Sequence, residues 1–272
     1  MAATHRYDGT APKTPQGVLG SAMNIAIIGT GYVGLTTGAT LAYLGHQVTC
    51  IDIDEAKLEH LRTAGAPFFE PHIDELIASC SDRLEFTSDY GAVAEAQISF
   101  ITVGTPPGPG GRTDLTAVDS AALSIGHALK PNQHHLVVTK STVPIGSGQY
   151  VESLVRRALR EAQGNPSAIG NFSVASNPEF LREGSAVADS FYPDRIVVGT
   201  DDHGALALLQ ELYEPVVEQT FEPPPFLPRL PGLDCIPFVT TDLISAETIK
   251  YAANAFLATK ISFINQLAGL CE

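Results

Sequence analysis

Basic residues are scarce: 16 Lys and Arg stand against 30 Asp and Glu, a formal net charge of −14 at pH 7. That balance argues against a polyanion held by counterion release, so no nucleic-acid partner is expected. Long apolar runs are missing too. No stretch reaches the roughly 20 apolar residues of a membrane span, and the N-terminal MAATHRYDGTAPKTPQGVLGS lacks the apolar core of a secretory signal. A cytoplasmic protein with no membrane partner is the expectation. Cysteine is sparse: Cys50, Cys80, Cys235 and Cys271 lie far apart with no CxxC pair. They indicate neither a disulfide framework nor a metal site, and read as free or buried thiols. What is present is ample for a core: 272 residues, 44% of them hydrophobic, enough for one large or two small domains.

Residues 1–22 are polar and small, without helical or strand periodicity, and read as a mobile extension. From Met23 short apolar runs alternate with helical patterns. Asn24–Ile28, Val48–Ile51, Ile98–Val103, Leu136–Thr139, Phe172–Ala175 and Arg195–Gly199 read as strands. Lacking polar alternation, they are suited to burial on both faces, which predicts a mainly parallel, doubly wound α/β sheet of Rossmann-like form within one domain over 23–220. The proline-rich stretch 221–240, containing FEPPPFLPRLPGLDCIPF, breaks that rhythm and reads as an extended surface excursion. Over 241–272 the chain is strongly helical. Asp242 or Ser245 can cap a long helix running through Cys271 without a Gly or Pro stop, so the helix reads as truncated.

The first strand runs into Gly29-Thr30-Gly31-Tyr32-Val33-Gly34, and Leu35, Ala39, Leu41, Ala42 and Leu44 then supply the apolar face of a helix. In this strand–turn–helix setting Gly29 permits the tight turn, Gly31 lets the backbone approach a pyrophosphate, and Gly34 lets the helix lie close to the strand. The anion then meets unpaired N–H groups and the positive end of the helix dipole. Asp52 ends the second strand 18 residues after Gly34, where a carboxylate accepts from ribose hydroxyls and repels a 2′-phosphate. The coenzyme expected is therefore NAD rather than NADP, with Lys57 closing over the same ribose.

Two further segments fall at strand C-terminal ends, where an open α/β sheet presents its ligands. Thr105, in Val103-Gly104-Thr105-Pro106-Pro107, can hydrogen-bond the coenzyme, and Ser141 and Thr142, in KSTVPIG, carry hydroxyls that serve equally as helix caps. The chemistry is expected further on. In SNPEFLREG, Glu179 and Glu183 are expected to face one crevice, where a partly desolvated carboxylate suits general-base work. Lys250 and Asn254, spaced i,i+4, put an ammonium and an amide on one helix face, able to converge on a developing alkoxide.

Taken together, MNIAIIGTGYVGL, VGTPP, KSTVPIG, SNPEFLREG, DRIVVG and ETIKYAANAFLATKISFINQLAGLCE resemble the UDP-glucose/GDP-mannose dehydrogenase family over about Met23 to Glu272. The last phrase is nearer the UDP-glucose branch than the GDP-mannose or N-acetylated-sugar branches. The resemblance implies the NAD-binding half of a nucleotide-sugar 6-dehydrogenase, which oxidises UDP-glucose to UDP-glucuronate with two NAD⁺ through an enzyme-bound aldehyde and thioester. By matching positions it implies that Lys250 and Asn254 stabilise oxyanionic intermediates, that Glu179 is the acid/base of thioester hydrolysis, and that Thr142 holds the water. It puts Asp52, Lys57, Thr105, Ser141 and Glu183 on the coenzyme side, and Phe180, Leu181 and Arg182 against the nucleotide sugar. Arg182, Arg195, Lys250 and Lys260 are the cations available to that anion.

The family's nucleophilic cysteine lies in a glycine-rich second half that has no counterpart here, and no cysteine present substitutes for it: Cys50 is in a strand, Cys271 on the terminal helix, and Cys235 in a proline-rich loop without an adjacent His. The chain alone is thus expected to lack complete activity, and a complementing C-terminal half or a second copy is its expected protein partner. Two other readings stay open at this level: a one-step hydroxyacid dehydrogenase built on Lys250 and Asn254, and a non-catalytic NAD-sensing module.

Overall fold

A computed structural model of the chain describes residues 21–166 and 170–271. Most of the extension expected over 1–22 therefore lies outside the described residues. Eight strands, β1 (Asn24–Ile28), β2 (Gln47–Ile51), β3 (Leu84–Thr87), β4 (Ile98–Ile101), β5 (His135–Thr139), β6 (Phe172–Ser176), β7 (Ile196–Gly199) and β8 (Phe238–Thr241), form one sheet in the order β3-β2-β1-β4-β5-β6-β7-β8. Pairing is parallel from β3 through to β6. The direction reverses between β6 and β7, and β8 then runs parallel to β7. This is the expected mainly parallel, Rossmann-like sheet.

Strand pleating divides the core. Ile25 and Ile27 of β1 join one apolar cluster, while Ala26 and Ile28, pointing the other way, join a second on the opposite face. Among the described residues eight α-helices cover these faces or bridge the strands: α1 (Tyr32–Tyr43), α2 (Glu55–Thr63), α3 (Ile73–Ser79), α4 (Thr116–Ala128), α5 (Ser147–Gln163), α6 (Ala186–Phe191), α7 (His203–Val217) and α8 (Leu243–Cys271). α5 shows how the sequence encodes such a layer. Val151, Leu154, Val155, Ala158 and Leu159 recur at helical spacing and are buried, and Gly164 stops the helix at φ 58°.

Three sequence expectations change. The fourth strand ends at Ile101 instead of Val103, and the seventh begins at Ile196 instead of Arg195. β3 and β8, not read as strands, occupy the two sheet edges, where half-exposed sequences such as LEFT and FVTT carry too little apolar pattern to announce themselves. The proline-rich stretch is irregular and lies largely at the surface, pinned to the core at a few points. Its prolines cannot feed a ladder, but Phe221 and Ile236 are buried in the core, and Phe221 packs 5.3 Å from Phe191 and 6.0 Å from Tyr192 between ring centroids. The stretch then leads into β8.

Candidate functional site

The coenzyme end of the site is built where β1 meets α1. Gly29 turns the chain at φ 98°, and a Cβ on Gly34 would lie 1.9 Å from the Gly29 carbonyl oxygen, so only glycine lets α1 start this close to the sheet. α1 has no capping side chain and no acidic residue in its first turn, and among the described residues nothing accepts from the N–H groups of Tyr32, Val33 or Gly34. The space beside Gly31 is open to 4 Å. α5 also lacks a cap of its own, but there Glu247 reaches in from α8 and accepts from Gly146 N at 2.6 Å and Gly148 N at 2.7 Å. α1 thus keeps its anion-binding donors free.

Asp52, almost fully buried at the end of β2, completes this side. Its Oδ2 accepts from the Thr30 N–H at 2.8 Å and the Thr30 hydroxyl at 2.7 Å and is ion-paired with Lys57, while Oδ1 accepts from Asp54 N at 3.1 Å. Burial pushes its proton affinity up, but Lys57, Thr30 and Asp54 outweigh it and hold the carboxyl below the usual carboxylate range. An ionised acceptor beside an uncapped helix start is the donor and acceptor set that a ribose-pyrophosphate requires, so these residues fit NAD.

The second end lies in the loop after β6. A cavity of about 550 Å³ is lined by Lys140, Asn177, Glu179, Phe180, Leu181, Arg182, Lys250 and Asn254, among others. Lys250, 7% exposed, donates from Nζ to the Glu179 carbonyl oxygen at 2.6 Å and to Glu179 Oε1 at 2.7 Å, and Leu181 N donates to Glu179 Oε2 at 2.6 Å. Phe180 carries two cations over its ring, with Arg195 Cζ at 4.2 Å and Lys250 Nζ at 5.4 Å from the centroid. Lys140 donates to Asn177 Oδ1 at 3.0 Å, and its ammonium is pushed down to about 8 by burial, Glu179 opposing the shift and Lys250 adding to it.

Lys250, Asn254 and Glu179, predicted from separate motifs, therefore meet on one cavity, with Phe180, Leu181 and Arg182 on its wall. Glu183 does not join them. It is exposed and outside the lining, because the chain turns away at Gly184, φ 85°, while Arg182 is tied to Asp189 by bonds of 2.6, 2.9 and 3.1 Å. The expectation that both glutamates face one crevice is corrected accordingly. Thr105 and the KSTVPIG loop are adjacent: the Thr105 hydroxyl donates to the Thr142 carbonyl at 2.8 Å, and the Ser141 hydroxyl donates to Val103 O at 2.7 Å and Ile101 O at 3.3 Å. Thr142 keeps its own hydroxyl unengaged among the described residues.

Sequence reasoning missed three charged groups that frame this site, the half-buried Lys140 and the buried Glu247 and Glu70. Lys140 stood in a quoted motif without a role, Glu247 lies one helical turn before Lys250, and Glu70 gave no local signal at all. The four cysteines play no part in it. Cys50 and Cys80 are buried in the core with their thiols pushed up, Cys80 to about 12, and none of the four lines the cavity. Among the described residues no His, Cys, Asp and Glu group could hold a metal ion, and no helix is long and apolar enough to cross a membrane.

Residues 23–217 match the NAD binding domain of the UDP-glucose/GDP-mannose dehydrogenase family, and residues 244–272 match its central domain. A UDP-glucose 6-dehydrogenase of Bacillus subtilis (strain 168) is 46% identical over 253 residues, which cover 92% of this chain and 51% of that protein. A UDP-glucose dehydrogenase structure from the hyperthermophilic archaeon Pyrobaculum islandicum superposes with a TM-score of 0.77 at 40% identity, covering 93% of this chain and 53% of that one. A GDP-mannose dehydrogenase ternary complex from Pseudomonas aeruginosa gives 0.75 at 32% identity, covering 89% and 52%. These relatives do not favour the hydroxyacid dehydrogenase or NAD-sensor readings. The chain spans about half the length of the curated relatives it matches. On sequence, fold and the fit of its β1–α1 turn, the chain belongs to the UDP-glucose/GDP-mannose dehydrogenase family and carries that family's NAD-binding domain.

Proposed function

We propose that this chain is the coenzyme-binding half of a UDP-glucose 6-dehydrogenase, converting the C6 alcohol of UDP-glucose to the carboxylate of UDP-glucuronate with two NAD⁺ in the cytoplasm, in service of polysaccharide synthesis. The observation that carries this reading is the convergence of Lys250, Asn254 and Glu179 on one cavity of a family member whose α1 start remains uncapped. When bound, NAD⁺ supplies the hydride acceptor for oxidation at C6. Gly31, Tyr32, Val33 and Gly34 hold its pyrophosphate, Asp52 and Lys57 its ribose, and Thr105, Ser141, Thr142 and Glu183 line the remaining coenzyme side.

The residues of this chain act mainly by placing donors. Two of the three Lys250 N–H bonds go to Glu179, which leaves one for the C6 oxygen beside the Asn254 amide. The ammonium, held by Glu179, and the Asn254 amide beside it stabilise negative charge developing on that oxygen. The Thr142 hydroxyl holds the hydrolytic water, and Glu179, half-buried and ion-paired with Lys250, serves as the acid/base. Phe180, Leu181 and Arg182 contact the nucleotide sugar. The thiolate that captures the aldehyde is supplied by the part of the relatives' length that this chain does not span, since no cysteine here lines the cavity.

The test counts NADH formed per UDP-glucose, with the chain alone and with the C-terminal half of the Bacillus subtilis relative supplied. Two per sugar on complementation and none without it is the expected result. NAD⁺ binding accompanied by no turnover on complementation would overturn the assignment.

A further inference from the structure

Glu70 sits in the loop between α2 and α3 and is 4% exposed, yet no cation pairs with it among the described residues. Burying a carboxylate in this way is costly unless hydrogen bonds replace its water. Its partners come from two places that the proposed function keeps distinct. Oε2 accepts from the Tyr32 hydroxyl at 2.6 Å and from Gly184 N at 2.8 Å, and Oε1 lies 3.4 Å from Val187 N. The same Tyr32 hydroxyl lies 2.8 Å from the Arg182 carbonyl oxygen and 3.1 Å from Gly184 N. Burial, then Glu70, hold the phenol far above its usual proton affinity, so it remains a donor at any physiological pH.

Tyr32 is the first residue of α1, directly after Gly31, while residues 182–187 continue the segment that walls the sugar cavity. One hydroxyl and one carboxylate thus tie the start of the coenzyme helix to the SNPEFLREG loop across 150 residues of sequence. A Phe at position 32 would keep the packing on Phe68, whose ring centroid is 5.4 Å away, so the hydroxyl serves the tie rather than the fold.

We propose that Glu70 is a positioning residue which, through Tyr32, latches the 179–187 segment to the coenzyme loop, so that NAD⁺ occupancy orders the segment contacting the nucleotide sugar. The inference rests on the coenzyme site of the proposed function. Occupancy at the α1 amides restricts the first turn of the helix, and the latch passes that restriction to Gly184 and Val187, whose N–H groups it already holds. Coupling of this kind between two sites typically amounts to about 5- to 150-fold.

Amide hydrogen exchange over 182–187, measured on the full chain by mass spectrometry with and without saturating NAD⁺, tests it. In the wild type, NAD⁺ is expected to slow exchange there at least about 5-fold. Tyr32→Phe and Glu70→Gln, each saturated with NAD⁺ as judged by calorimetry, are expected to exchange about 5-fold faster than wild type without ligand, as one lost hydrogen bond implies, and to lose the NAD⁺-dependent slowing. Should Glu70→Gln fail to fold, Tyr32→Phe decides alone. Equal slowing in variant and wild type overturns the latch, as does NAD⁺ binding to the wild type without slowing. Absence of NAD⁺ binding overturns the coenzyme reading and the latch together.

Discussion

Glu247→Ala is the sharpest test of how the site is held. Glu247 is 3% exposed near the start of α8 and caps the start of α5 through Gly146 N and Gly148 N. The same turn is seated on β7, where a Cβ on Gly199 would lie 2.5 Å from Ala246 Cβ. The turn has no room to slide, and the carboxylate is what holds it to the KSTVPIG loop. Truncation leaves the buried Gly148 N–H without an acceptor and the half-buried Gly146 N–H poorly served, a loss of about 2–4 kcal/mol. At about 2–4 °C per kcal/mol for a chain of this size, calorimetric melting should fall by about 4–16 °C. The sign of the pH dependence follows from the carboxyl itself. Burial holds it above its ordinary 4.5, with the Gly146, Gly148 and Ser147 N–H groups pulling the other way. A carboxyl raised on folding contributes most below its unfolded value, and that contribution fades as pH rises through the folded one. The penalty of Glu247→Ala should therefore be larger near pH 4 than near pH 7. A loss under about 0.5 kcal/mol at both pH values, within the scatter of surface substitutions, would refute the anchoring argument.

Gly34→Ala places a methyl group 1.9 Å from Gly29 O and 2.5 Å from Thr102 Oγ1, so α1 must lift from the sheet; a loss of about 1–3 kcal/mol in urea unfolding and at least tenfold in NAD⁺ affinity is expected, and wild-type calorimetry for the variant would contradict it. Asp52→Asn removes the charge that Thr30 and Lys57 surround, and titration calorimetry should show the preference for NAD⁺ over NADP⁺ falling about tenfold or more; an unchanged preference would remove Asp52 from the ribose site. His46 and His135 are buried and held neutral down to about 4, chiefly by burial. The unfolded chain takes up protons at both between pH 6.5 and 4, so stability falls with pH across that window by up to roughly 3 kcal/mol per residue, and replacing either with Gln should flatten the acid limb of a urea stability profile.

The parts of this molecule that could be read directly from the residues are those governed by spacing along the chain. Strands such as ISFI and IVVG are apolar without alternation because both faces are covered. The glycine run between β1 and α1, and the i,i+4 pair Lys250 and Asn254, follow from backbone sterics and helical period, which act within a few residues. Edge strands β3 and β8 escaped because half-exposed pairing leaves a weak apolar pattern. The arrangement around the cavity has a different origin. Glu247 meets Gly148 across 99 residues and Tyr32 meets Glu70 across 38, and no local periodicity records which loop the crossovers will bring alongside which helix. Nor does local pattern decide which way neighbouring acids point: Glu179 turns inward to Lys250 and Glu183 outward, a difference set by the turn at Gly184 and the Arg182–Asp189 pair. Short-range sterics wrote the elements, whereas the placement of buried charge had to await chain closure, because a desolvated carboxylate is tolerated only where distant donors converge on it.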